Sequence, residues 1–436
     1  MSGAALEADV LVVGGGLAGA VAALSARAAG ARVALVSRGP GATALSSGAL
    51  SVADDPLSLP GTPFRSRAGV VESARRLAAL RPGHPYQVVG PGLDRLREAL
   101  DFTAGELAPL LAPATGRNRW LLGPYGAARP CALCPRSMEA ADLASAGGKL
   151  AVVALRGHLG HDAGLVAAGA ARAAALGAPA AEVVRLDLFM WEEASLGRPH
   201  DLARHLEAPG AAEEAGRMLR RALPAGAAVA VFPPVLGLAP SARVPERIAA
   251  EAGLPVAEHL SDLPSLPGLR LQQAIEARLA AAWVEILRGP LAEARGPGQP
   301  ARAGSREVRA ASWVLATGRF VGGGIARRGE LAETLLGLPV LAAEGPLSDD
   351  GAGLAGRPSA SLTSRDSRGP QPLLAAGVRV DSGLRPLDEE GRPVHERLFA
   401  AGAVVGGHDH ASDGTGLGVA LLTGYLAGRA AAGRDL

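Results

Sequence analysis

Cysteine is almost absent. Cys131 and Cys134 are the only two in 436 residues. A disulfide framework is excluded, and a reducing cytoplasm suits the chain. Lysine is scarcer still, with Lys149 alone, and aromatics make up 3%. The formal net charge is +2 with both signs interspersed. No basic run is interleaved with aromatics, so the electrostatic footprint of nucleic-acid binding is missing. Uncharged apolar runs of the roughly 20 residues needed to span a bilayer are also missing. The stretch from Val10 to Leu24 imitates a secretory leader, but Glu7 and Asp9 precede it and Gly14, Gly15 and Gly16 interrupt it. The expectation is a cytoplasmic protein, peripheral at the inner membrane only through a partner.

What is abundant is small and apolar. Hydrophobic residues make up 48%, enough for a sizeable core and too many for a disordered chain. The excess of Ala, Gly, Pro and Arg is what G- and C-rich codons produce, and no function is read from it. The length accommodates about two domains.

Periodicity predicts a buried strand at Asp9–Val13, a helix at Ala20–Ala29 closed by Gly30, and a strand at Arg32–Ser37. This is one βαβ unit of about 30 residues. Val70–Leu80 and Leu93–Leu111 read as helices, and 113–136 as loop. A second βαβ-like run follows: strand Lys149–Leu155, helix Ala163–Ala175, strand Ala181–Leu188. Ala227–Val231 is a further strand and Leu271–Leu287 a helix. Pro and Gly crowd 289–304 into a turn or hairpin tip. Strands at Ser312–Ala316 and Arg397–Ala400 precede a last helix from about Gly416 to Ala432. The fold expected is α/β: a Rossmann-type FAD/NAD(P)-binding fold with an inserted α/β cap domain. Its nucleotide domain would comprise 1–105 and 301–436, with the cap at 106–300.

Four glycine-punctuated turns carry the chemistry. Gly14, Gly16 and Gly19 have GxGxxG spacing between a strand and a helix. With Gly15, Leu17 and Ala18 they form a turn that lets backbone approach a pyrophosphate at a helix N-terminus. A dinucleotide site usually has an acidic residue at the end of the second strand. Here Ser37 and Arg38 stand there; Arg38 reads either as a planar fork for phosphate or as a solvated strand end. Ser46, Ser47 and Gly48 are small enough for a loop to lie flat against a ring system. Ala316, Thr317 and Gly318 end a late strand, where the chain returns to a nucleotide domain. Gly402 follows the last strand, and Gly414, Thr415 and Gly416 open the last helix. The dipole of that helix suits the negative charge of a reduced isoalloxazine. Together the four turns point to a flavin. No second strand-GxGxxG-helix unit is present, so a separate NAD(P) domain is not expected, and electrons pass from an organic substrate to a partner or quinone.

Candidate catalytic groups lie beside the last turn. His408 and Asp409, with His410 and Asp413, offer a base for a substrate hydroxyl, or are exposed loop polarity. Four such groups within six loop residues lack a recognisable metal geometry, and no metal is assigned. Arg270, before a helix, and Arg319, after Ala-Thr-Gly, read either as bidentate clamps or as structural arginines. Cys131-x-x-Cys134 reads as a redox dithiol or as packing.

At these residues the chain resembles the B subunit of the bacterial anaerobic glycerol-3-phosphate dehydrogenase. The matching stretches are VLVVGGGLAGAVAAL, LVSRGPGATALSSGALSV, His84 to Tyr86, LPSLPGLRLQ, WVLATGRFVGGG, GVRVDSGLRP and LFAAGAVVGGHD. The resemblance implies a flavoprotein with FMN as cofactor and FAD as the alternative. It implies two partners, a catalytic A subunit and an iron–sulfur C subunit, the latter attaching the complex to the inner membrane. The implied reaction oxidises sn-glycerol 3-phosphate, a small phosphorylated polyol, to dihydroxyacetone phosphate, with electrons passed to quinone. A fumarate-reductase-type oxidoreductase and a flavin relay protein without a substrate site are the alternatives. The chain departs from the family's pattern in a loop less rich in glycine at 413–418 and in His408, where an aromatic is typical.

Overall fold

A computed structural model describes residues 5–158, 160–188, 197–328, 330–341, 363–366 and 371–434. The first sheet starts from the strand Leu6–Val13, whose second half is wholly apolar and buried. It pairs in parallel with Val33–Ser37 on one side and with Arg306–Leu315 on the other. Glu285–Arg288 extends the sheet beyond Val33–Ser37, and Leu398–Ala400 extends it beyond the end of Arg306–Leu315. The strand order therefore reverses at Leu6–Val13. In a doubly wound parallel sheet the ligand crevice lies outside the carboxyl ends at that reversal.

Helices cover the sheet by close backbone approach. The helix Leu17–Ala28 packs against the final helix, Gly418–Ala431. A Cβ on Gly424 would lie 2.5 Å from the Ala18 carbonyl oxygen, and one on Gly428 2.2 Å from that of Ala22. Small residues at i and i+4 thus let two apolar helices touch backbone to backbone, and the core forms around that contact.

The middle of the chain has its own four-stranded parallel sheet. Ala181–Leu186, Lys149–Leu155, Ala227–Phe232 and Val256–Glu258 lie in that order. Successive residues of its strands feed different cores: Leu150 and Val152 one, Ala151 and Val153 the other. Both faces are therefore covered, as the continuous apolar runs of a parallel sheet require.

Several elements differ from the sequence expectation. The segment Leu271–Leu287 is not one helix. A helix spans Leu266–Ala281, Trp283 takes a positive φ of 59°, and Glu285–Arg288 joins the first sheet. Glu285–Arg288, which precedes the boundary expected at 300, thus pairs with Val33–Ser37, while Leu266 at the start of the helix packs in the core beside the strands of the middle segment. The segment 113–136, read as loop, contains the hairpin Arg119–Leu122 with Ala128–Cys131. The strand ending in Ala-Thr-Gly begins at Arg306, and the final helix begins at Gly418 rather than Gly416. Among the described residues no helix is long and apolar enough to cross a membrane.

Candidate functional site

The four glycine turns meet at the carboxyl edge of the first sheet. Gly14 ends the first strand at φ 126°, a left-handed backbone that favours glycine. A Cβ there would lie 2.0 Å from the Ala316 carbonyl oxygen, so the first and third turns touch directly. The helix beginning at Leu17 opens on Gly16, and the Leu17 amide donates to Thr43 Oγ1 at 2.9 Å. That bond fixes the 42–48 loop beside the GxGxxG turn. Gly402 closes on the same helix: a Cβ there would lie 2.6 Å from that of Ala18. The Gly402 amide donates to Thr423 Oγ1 at 2.8 Å. The fourth turn lies against the second, since the Gly418 amide donates to the Ser51 carbonyl at 2.9 Å.

Polar groups along these turns fit a bound flavin. Thr317 Oγ1, Thr415 Oγ1 and Gln272 Oε1 are buried without a hydrogen-bond partner among the described residues. The other end of Gln272 is anchored, with Nε2 donating to the Gly15 carbonyl at 3.1 Å. Buried polar atoms in folded proteins are nearly always paired, so these three, which lie together along the turns, are available to a bound group or to water. Ser37 is buried and its hydroxyl donates to the Gly39 carbonyl at 2.8 Å. Gly15 has room for no side chain against that hydroxyl. Arg38 is exposed and reaches the Gly322 carbonyl at 3.4 Å, which sets it across the rim of the crevice. Ser46 donates to the Thr43 carbonyl at 2.7 Å and accepts from the Gly48 amide. Ser265, which caps the helix Leu266–Ala281, fastens the same loop by donating to the Ser46 carbonyl.

The candidate catalytic loop is held from both sides. Arg319 is buried, and its guanidinium donates to the carbonyls of Ala403, Val405 and His408 at 3.1, 3.3 and 3.3 Å. Burial lowers its pKa to about 10. Arg319 braces the 403–408 backbone. Asp409 is buried and accepts from the Ala411 and Gln371 amides at 3.0 and 3.1 Å. Its own amide donates to Asp413 at 2.9 Å. Burial raises the Asp413 carboxyl, with Arg81 at 3.5 Å acting against it. His408 is buried with Nδ1 unpartnered among the described residues. Burial, then the Arg319 charge, holds it well below the ordinary histidine range, so it is neutral.

Arg270 and the cysteine pair, each left with two readings by the sequence, lie apart from this loop. Arg270 does not reach this loop. Its Nη2 binds both oxygens of Glu258, at 2.9 and 2.7 Å, with side-chain exposures of 5% and 0%. It joins the helix Leu266–Ala281 to the strand Val256–Glu258. Cys131 and Cys134 are reduced and buried within the core that also holds Trp120, Leu150 and Val152. Burial raises both thiols, Cys134 to about 12 and Cys131 further, the opposite of a reactive thiolate.

Sequence reasoning missed His84, Thr43 and Gln272. His84 was visible only as part of His84-Pro85-Tyr86. A Cβ on Gly407 would lie 2.1 Å from the Gly83 carbonyl oxygen, so the turn carrying His84 packs directly onto the loop carrying His408. The two imidazole rings meet edge to face, with centroids 5.9 Å apart.

Residues 9–419 match the family described as FAD binding domain. The chain is 32% identical to a Halobacterium salinarum protein named as the probable B subunit of anaerobic glycerol-3-phosphate dehydrogenase, with 98% of each chain covered. It is 29% identical to the Yersinia enterocolitica protein named as the B subunit of the same dehydrogenase, with 96% of each covered. Among solved structures, 3-ketosteroid delta1-dehydrogenase from Sterolibacterium denitrificans aligns over 98% of this chain and 99% of that one, with 13% identity and a TM-score of 0.44. FMN as the main cofactor is not supported, because the matched family is one that binds FAD. The chain belongs to the FAD-binding-domain family of oxidoreductases, among the relatives named as the B subunit of anaerobic glycerol-3-phosphate dehydrogenase.

Proposed function

We propose that the chain binds FAD and oxidises sn-glycerol 3-phosphate to dihydroxyacetone phosphate. It would work as the B subunit of a complex, beside a catalytic A subunit and an iron–sulfur C subunit. The C subunit would pass electrons to quinone and hold the complex at the inner membrane. The observation that carries the reading is the convergence of four glycine turns where the strand order reverses, with His408 on the adjoining loop. The names of the full-length relatives support the substrate.

In this reading Gly14, Gly15, Gly16, Leu17, Ala18 and Gly19 hold the pyrophosphate, and Ser37 and Arg38 face the adenosine side. Ser46, Ser47, Gly48, Ala316, Thr317, Gly318, Gly402, Gly414, Thr415 and Gly416 surround the ring. Bound flavin supplies a two-electron acceptor. The neutral His408 imidazole offers a base for the substrate hydroxyl proton, Asp409 shapes the loop, and Arg319 fixes its backbone.

The test has two parts. Heat-released cofactor is identified by mass, with FAD expected; a colourless protein that takes up no flavin overturns the reading. Anaerobic addition of sn-glycerol 3-phosphate to the protein with its partner subunits should bleach the flavin. Bleaching by a dicarboxylate instead, or by neither compound, overturns the substrate and favours a fumarate-reductase-type or relay role.

A further inference from the structure

His84 and His408 lie side by side, yet their surroundings give them different jobs. Nδ1 of His84 accepts the Tyr86 amide at 3.0 Å, capping the short helix Pro85–Val88. An amide nitrogen only donates, so Nδ1 must carry the lone pair. A neutral His84 therefore bears its proton on Nε2. That Nε2–H is buried and has no acceptor among the described residues. Burial, with the Arg81 charge adding to it, holds the ring near a pKa of about 3, so it stays neutral throughout the physiological range. A buried donor without an acceptor forfeits its hydration and gains nothing in return, a loss that is sustained where a ligand supplies the missing partner.

The ring cannot reorient without losing the cap. Tyr86 packs against it at 4.7 Å between centroids and is itself fixed by donating its hydroxyl to the Val52 carbonyl at 3.0 Å. The Tyr86 hydroxyl also reaches the start of the final helix, where a Cβ on Gly418 would lie 2.5 Å from it. His84 is thus held between the turn that opens that helix and the loop that carries His408.

We propose that His84 Nε2–H is a preorganised hydrogen-bond donor to the substrate oxygen that becomes the carbonyl, a role separate from that of His408. The proposal rests on the alcohol-oxidising reading above. In the step, the C–H bond at the carbinol carbon breaks and its electron pair leaves with the hydrogen to the flavin. The O–H bond breaks and its proton goes to the neutral His408 imidazole. The C=O bond forms, and its oxygen accepts from His84, whose own proton stays on Nε2. A neutral donor aimed at developing charge in a dry site needs no reorganisation during the reaction.

Two variants separate this role from helix capping. His84→Asn keeps an acceptor where Nδ1 stood and removes the distal donor. His84→Gln places an amide N–H where Nε2 stood. In the purified complex, H84N should slow flavin reduction by sn-glycerol 3-phosphate on the order of 100- to 1,000-fold, with substrate affinity changed less than about tenfold. H84Q should recover at least about a tenth of the lost factor. The opposite ranking assigns His84 to capping alone and overturns the proposal. A second measurement does not depend on turnover. Dihydroxyacetone phosphate bound to the oxidised wild-type complex should show its carbonyl stretch moved to lower frequency. In H84N that shift should be lost. A wild-type flavin that the substrate cannot reduce overturns the alcohol-oxidising reading and this proposal with it. A reducible wild type with an unaffected H84N overturns the His84 assignment alone.

Discussion

The buried Arg270–Glu258 pair decides whether Arg270 serves the substrate or the fold. Glu258 accepts four contacts: two from Arg270, one from Ser137 Oγ at 2.7 Å and one from the Leu236 amide at 2.7 Å. Both side chains are out of solvent. Removing one member of such a pair leaves a buried charge uncompensated, at a cost of about 3–5 kcal/mol. Arg270→Met and Glu258→Gln should each lose that amount. The double variant keeps an acceptor for the Leu236 amide and leaves no lone charge, so its loss should be about 1–2 kcal/mol. The coupling in the double-mutant cycle is then several kcal/mol, far above the few tenths seen for independent sites. Urea unfolding of the four proteins measures it. Additive single losses would refute the structural assignment. So would a double variant that is stable and retains flavin but is not reduced by substrate, because Arg270 would then act on the ligand.

Other outcomes follow from the same geometry. Gly14→Ala puts a side chain at φ 126° and 2.0 Å from a carbonyl oxygen; the combined backbone and packing cost is about 2–6 kcal/mol, and a variant that still copurifies with stoichiometric flavin would contradict the cradle. Replacing both Cys131 and Cys134 by Ala should leave flavin reduction unchanged, and the native thiols should resist a thiol reagent until the protein unfolds; rapid labelling of the folded protein would contradict their burial. His84 and His259 are depressed by burial to about 3 and about 4 from an ordinary 6.5. Because the folded values are lowered, their contribution is complete above about pH 6.5 and is lost as pH falls toward 4. At pH 5 each should cost about 2 kcal/mol, and a urea midpoint unchanged between pH 7 and 5 would contradict neutral burial.

The parallel strands and the first βαβ unit were legible because a strand buried on both faces must be continuously apolar. The glycine turn after it serves a helix N-terminus only at one spacing. The expected strand Lys149–Leu155 and helix Val70–Leu80 agree with the structure residue for residue. The stretch after Leu271 misled because its apolar periodicity runs on past Ala281. A single left-handed residue, Trp283, ends the helical path before Glu285–Arg288 turns into a strand. The hairpin at Arg119–Leu122 hid behind the prolines and glycines around it.

Local chemistry in the chain determined that glycine turns exist at strand ends and helix starts and where each one falls. Backbone conformation and helix capping depend on neighbours a few residues away, and such neighbours can be read directly. Only the tertiary structure decided what each polar side chain faces. Arg270 found a carboxylate 12 residues upstream instead of a ligand, Arg319 found three carbonyls, and His84 came to lie against His408 across more than 300 residues of chain. Those partners depend on the sheet order and on helices in backbone contact, which bring together groups that no sequence spacing connects.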